Sequence, residues 1–163
     1  MAKKICLYGI LSAVCVVFGF IEHFILLDFI APGIKIGLSN TVALLLVYFK
    51  DIKGAFAVNI VRILLSAVLF SSPSSLIFSL PAGILSLFAM CLVLYSKAFS
   101  VIGASIFGAV IHNITQMVCA VFLFGRGILY YFPLLLLSAL VCGSFVGFTV
   151  KLLAPKLYKK FKF

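Results

Sequence analysis

The chain predicts an all-α protein, a polytopic membrane bundle of six transmembrane helices with both termini cytoplasmic. Three observations carry that prediction. Of 163 residues, 66% are hydrophobic and only 10% charged, whereas a soluble domain carries about 25% charged residues. The apolar residues fall into separate stretches near or above the ~20 residues that cross a hydrocarbon core, so the protein is polytopic and not held by one anchor. The net charge of +10 comes from basic residues lying almost entirely between or beyond those stretches. That placement makes them topology signals and not a nucleic-acid footprint.

By length, the spans are expected at about 6–27, 34–49, 54–70, 75–95, 100–124 and 128–150, in one membrane domain covering 1–163. The first follows Met1-Ala2-Lys3-Lys4; its apolar run is too long for a signal peptide and lacks a small-residue cleavage site before Glu22, so it is retained. It ends with Glu22, His23 and Asp28 near the far interface. Gly9 and Ala13, with Ser12 beside them, make a small-xxx-small surface for close helix packing, inside the bundle or against a separate subunit.

Pro32 and Gly33 interrupt the start of the second span, which is short and carries Lys35, Ser39 and Asn40. An irregular or re-entrant backbone is expected there, covered by protein or lining a cavity. Lys50-Asp51-Ile52-Lys53-Gly54 forms a tight charged loop. The third span holds Arg62 near its middle, with Asn59 and Ser66 on the same helical face. A central arginine costs roughly 2.5–3.5 kcal/mol on insertion scales, so it faces inward toward a partner. The uncharged turn Ser71-Ser72-Pro73-Ser74-Ser75 leads to a fourth span with Ser79, Pro81, Gly83 and Ser86, which permit close approach.

After Lys97, the fifth span carries His112, Asn113, Thr115 and Gln116 in a run that lipid would reject. At helical pitch most of that polarity shares one face, which Ser105 and Gly108 extend. Gly125-Arg126-Gly127 leads to the sixth span, where Tyr130 and Tyr131 suit an interface and Gly143 and Gly147 form a second small-xxx-small surface. A polybasic tail of Lys151, Lys156, Lys159, Lys160 and Lys162 suits an anionic inner leaflet. Six spans with the N-terminus inside place Lys3, Lys4, Lys50, Lys53, Lys97 and the tail in the cytoplasm, and only Lys35 and Arg126 in outer loops.

Sorted by depth, Glu22, Lys35, Ser39, Asn40, Tyr130 and Tyr131 cluster in the outer half, with Arg62, His112, Asn113 and Gln116 nearer the middle. They describe a pocket open to the outside that would hold a small-molecule ligand. The competing expectation is a buried network in which Glu22 neutralises Arg62 and the amides and imidazole bridge helices. No HxxxH or HExxH accompanies His23 and His112, so neither a metal nor a cofactor is expected. Cys6, Cys15, Cys91, Cys119 and Cys142 lie within apolar segments without CxxC spacing and read as small buried hydrophobes.

The stretches Pro32-Gly33-Ile34-Lys35-Ile36-Gly37-Leu38-Ser39-Asn40, Arg62-Ile63-Leu64-Leu65-Ser66, Ser79-Leu80-Pro81-Ala82-Gly83-Ile84-Leu85-Ser86 and Gly108-Ala109-Val110-Ile111-His112-Asn113-Ile114-Thr115-Gln116, with Tyr130-Tyr131-Phe132-Pro133, resemble the Gx transporter family, also called heptaprenyl diphosphate synthase component I. Pro81 departs from the small residue or glycine expected at its position. That family is in turn distantly similar to the six-helix S components of energy-coupling factor transporters. This resemblance implies a bacterial plasma-membrane protein that binds a solute from outside. It further implies docking through first-helix small residues, here Gly9 and Ala13, on a transmembrane coupling subunit with two ATPases. Some relatives are linked to flavin-based extracellular electron transfer and quinone metabolism, which leaves a prenyl synthase or electron-transfer partner as the alternative.

The synthase name can be set against chemistry. Prenyl diphosphate synthases hold magnesium through aspartate-rich motifs, because the leaving diphosphate needs metal charge and magnesium needs carboxylates. The acidic residues here are Glu22, Asp28 and Asp51, with no DDxxD pair and no P-loop. The chain is therefore expected to be no enzyme by itself. Its leading role is solute binding and transport with a borrowed motor. A non-catalytic membrane subunit of prenyl-quinone synthesis or electron transfer is the second.

Overall fold

The computed structural model describes residues 2–24, 37–70 and 73–158. Among them are six α-helices: α1 (Ala2–Phe24), α2 (Leu38–Tyr48), α3 (Ile52–Leu69), α4 (Leu76–Tyr95), α5 (Val101–Phe124) and α6 (Phe132–Tyr158). Short 3-10 turns, Pro73–Ser75 and Arg126–Tyr131, precede α4 and α6. Five of the six helices are long and apolar enough to cross a membrane; α2 is not. Within the expected second span at 34–49 the described residues form an 11-residue helix, about 16 Å long at 1.5 Å per residue against a ~30 Å hydrocarbon core. The sixth helix runs on to Tyr158, past the expected end at 150 and through Pro155.

The short helix is the axis of the bundle. Thr41 through Val47 are all buried, and α2 packs against α1, α3, α4 and α6. The long helices have the opposite character, showing apolar side chains outward: Val68 is 77% exposed and Phe122 86%. Such surfaces belong in lipid, where apolar exposure costs nothing.

Local signals set the helix ends. Asp51 caps α3 by accepting from the Gly54 N–H at 3.2 Å, and Ser100 caps α5 by accepting from the Gly103 N–H at 3.3 Å. Gly37 precedes α2 in a left-handed conformation (φ 81°) that a side chain would strain. A Cβ on Gly147 would lie 2.6 Å from the Ile102 Cα, and one on Gly143 2.8 Å from the Ile106 Cα. The second small-xxx-small surface therefore lies inside the bundle, at the α5–α6 contact.

Most of the packed core lies toward one end. The Tyr8 hydroxyl donates to the Asp51 carboxylate and ties the start of α1 to the α2–α3 turn. A Cβ on Gly54 would come within 2.6 Å of the Tyr8 ring, so glycine lets that ring lie on α3. Phe49, Leu94, Val101 and Leu157, from the ends of α2, α4, α5 and α6, pack on one cluster with Leu44, Met90 and Val150. The exposed Lys4, Lys50, Lys53, Lys97, Lys151 and Lys156 ring this end. The opposite end carries a smaller cluster around Met117 and Leu135.

Candidate functional site

Because α2 is short and ends at the lysine-ringed end, its N-terminus lies about halfway across the bundle, near ~15 Å of depth. Arg62 sits at a similar depth on α3, ~15 Å from that helix's start at 1.5 Å per residue. There the two meet. Arg62 is 9% exposed; one of its terminal nitrogens donates to the Ser39 hydroxyl and the other to Asn59 Oδ1 at 2.8 Å. Asn59 Nδ2 in turn donates to the Gly83 carbonyl at 3.0 Å, and the Ser86 hydroxyl donates to the same oxygen at 3.1 Å. A Cβ on Gly83 would run into Ile63, so glycine permits the α3–α4 approach that makes this contact.

The network carries a definite polarity. The Ser39 backbone N–H, in the first turn of α2, donates to Glu22 Oε1 at 3.3 Å, and the Glu22 charge also attracts Arg62. A helix N-terminus presents free N–H groups and about half a positive charge. Together with a guanidinium it makes an electropositive corner, and the carboxylate of Glu22 lies against it. Arg62 Nε has no hydrogen-bond partner among the described residues.

Beside this corner lies a cavity of about 40 Å³, lined by Gly37, Asn40, Ser105, His112, Asn113 and Cys142 among others. At ~10–15 Å³ per water this volume takes roughly three waters. Asn113 is committed to packing: its Nδ2 donates to the Leu135 carbonyl at 2.7 Å, tying α5 to α6, and Ser138 donates to the same oxygen at 2.8 Å. Thr115 donates to Ile111 within its own helix at 2.8 Å.

A larger pocket of about 340 Å³ opens at the end away from the lysines. Phe78, Met117, Ala120 and Phe124 supply apolar walls. Ser79, Gln116 and Tyr131 supply polar atoms.

The residues singled out in the sequence thus fall into separate places. Ser39, Arg62 and Glu22 form the electropositive corner with its carboxylate, Asn40, His112 and Asn113 line the adjoining cavity, and Gln116 and Tyr131 belong to the larger pocket. Tyr130 is 90% exposed and lines neither space. Lys35 lies outside the described residues, as do Pro32, Gly33 and Asp28. Gly9 and Ala13 are exposed on α1, and a Cβ on Gly9 would have nothing within 4 Å. The acceptors Gly83 O and Leu135 O escape sequence reasoning, because a backbone carbonyl leaves no mark on residue identity. Among the described residues no cluster of His, Cys, Asp and Glu suits a metal ion.

Residues 11–153 match the family model described as heptaprenyl diphosphate synthase component I. No curated protein and no solved structure matches the chain.

Proposed function

The chain belongs to the heptaprenyl diphosphate synthase component I family, and from that premise we propose that it is a membrane binding protein for a small anionic solute. The solute enters from the face opposite the lysines, which is the outer face under the positive-inside rule. The observation that carries this function is the meeting of the α2 N-terminus with Arg62 at mid-depth, next to the cavity of Asn40, His112 and Asn113. Broken helices whose N-termini point at anionic groups are how many transporters hold cargo at the bilayer midplane. Glu22 holds the corner by accepting from Ser39, and an incoming anion takes over these donors as the carboxylate withdraws.

The chain contributes binding and supplies no motor of its own. Release into the cell is driven by a separate energising module, as in S components, docked where Gly9 and Ala13 leave the α1 surface open. Catalysis is not assigned to it, since Glu22, Asp28 and Asp51 do not form the paired carboxylates that a magnesium-diphosphate reaction needs.

The test is thermal unfolding of the protein in lipid nanodiscs against small carboxylates and phosphates, each paired with its neutral amide or alcohol. At least one anion is expected to raise Tm where its neutral counterpart does not. Arg62→Met should weaken that anion's binding by roughly tenfold to a hundredfold, the worth of a charged hydrogen bond. Glu22→Gln, which removes the resident charge, should tighten it. If no anion is told from its neutral analogue, or Arg62→Met binds as well as the parent, the function is wrong.

A further inference from the structure

The 340 Å³ pocket differs in kind from the anion-binding corner, and we infer that it is a separate site for an uncharged lipid whose head carries both hydroxyl and carbonyl groups. Its position is the first ground. Ser79 stands in the first turn of α4, Gln116 and Ala120 in the second half of α5, and Tyr131 in the turn before α6. Gln116 lies ~12 Å from the end of its helix at 1.5 Å per residue, so the pocket reaches from the interface well into hydrocarbon depth.

Polarity is the second ground. At that depth an amide without a partner is costly, because hydrocarbon offers it no hydrogen bond. Gln116 makes no side-chain hydrogen bond to a described residue, nor does the Tyr131 hydroxyl, whereas Asn113 one turn away is bonded to Leu135. The Ser79 hydroxyl gives its hydrogen to the Ser75 carbonyl at 2.7 Å and keeps its acceptor side. An amide and a phenol each both donate and accept. The ligand head they suit does the same.

Charge is the third ground. No charged side chain lines the pocket among the described residues, so a carboxylate or phosphate buried there would go uncompensated. The Phe78 and Phe124 rings lie parallel, 6.1 Å apart at 3°, and with Met117, Ala120 and Leu135 they form an apolar wall for the acyl chain. The volume is near the low end of small-molecule sites, roughly 300–1,000 Å³. It suits a head with the first part of one chain, as in a glyceride. Phe124 and Tyr131, at the rim, are 69% and 47% exposed and give the rest of the chain a way out into lipid.

The experiment is photolabelling of the protein in nanodiscs with a diazirine-bearing monoacylglycerol and, in parallel, the fatty acid with the same diazirine chain. The glyceride is expected to label α4 and α5 peptides around Phe78 and Met117 in a saturable way, several-fold above the fatty acid. Ala120→Phe, which fills the pocket, should cut this labelling at least fivefold, and Gln116→Leu about threefold. Because leucine suits a membrane helix, Gln116→Leu decides the matter if Ala120→Phe does not accumulate. Unsaturable labelling equal to that of the lipid-facing α3 and α6 surfaces would overturn the site. So would equal labelling by the fatty acid, or labelling that Gln116→Leu leaves unchanged. None of these outcomes involves Arg62, so this site and the anion-binding corner stand or fall separately.

Discussion

The two ends of this bundle are built by different rules. At the lysine-ringed end α2 is wrapped by its neighbours, and Leu44 and Leu46 are fully buried among Met90, Val150, Val58 and Leu87. At the other end the helices enclose a 340 Å³ pocket and carry a core centred on Met117 and Leu135. Where the two meet, the polar network of Arg62 and the Asn40–His112–Asn113 cavity fill the boundary. The difference teaches that in lipid a helix bundle gains little from hiding apolar surface as such, since the surrounding chains are equally apolar. Close packing appears where a helix too short to reach lipid at both ends must be held, and space is left where no such demand exists.

That contrast can be broken by mutation. Leu46→Ala removes contacts at the packed end and should cost about 2 kcal/mol, the low end for such truncations, because the water-transfer part is missing in a bilayer. Reversible unfolding in mixed micelles measures it. The matching truncation at the loose end, Met117→Ala, faces space already open on one side and should cost less than half as much. Equal losses would erase the distinction between the ends.

A smaller effect tests the boundary. Asn113→Leu removes the amide bonded to the Leu135 carbonyl, which also accepts from Ser138. Interhelical hydrogen bonds in membranes average roughly 0.6 kcal/mol and reach about 1.7, so a loss in that range is expected in the same unfolding assay. A loss above that range would mean Asn113 holds more than the α5–α6 seam.

The smallest effect concerns the outer wall. Gly9→Leu should change the stability of the isolated protein by no more than about 0.5 kcal/mol, since the position is exposed and a Cβ meets nothing within 4 Å. If Gly9 serves docking, the same substitution removes a copurifying partner while leaving the unfolding curve in place. A loss of stability would put this surface inside the bundle instead.

Much of this was legible from residue order. Long apolar runs could only be membrane helices, because backbone groups in hydrocarbon must be satisfied within the segment. Arg62 had to face inward with a partner, and it does so through Ser39 and Asn59. The small residues Gly143 and Gly147 announced a close helix contact, and their partner is α5. Less legible was the grouping of polar side chains. His112 and Gln116, one turn apart on α5, line different spaces, because α6 and α2 border the first and the turns before α4 and α6 border the second.

By itself, then, the sequence determined the solvent, the helical class and which residues cannot face lipid, since these follow from transfer energies and helical pitch that belong to each residue. Only the tertiary structure decided that the second helix stops halfway and sets its N-terminus beside Arg62. Only it decided, too, that Glu22 fills that corner and that Gln116 belongs to an uncharged pocket apart from it. Those outcomes depend on which backbone N–H and carbonyl groups distant segments bring together, and such groups are common to every residue and invisible in its name.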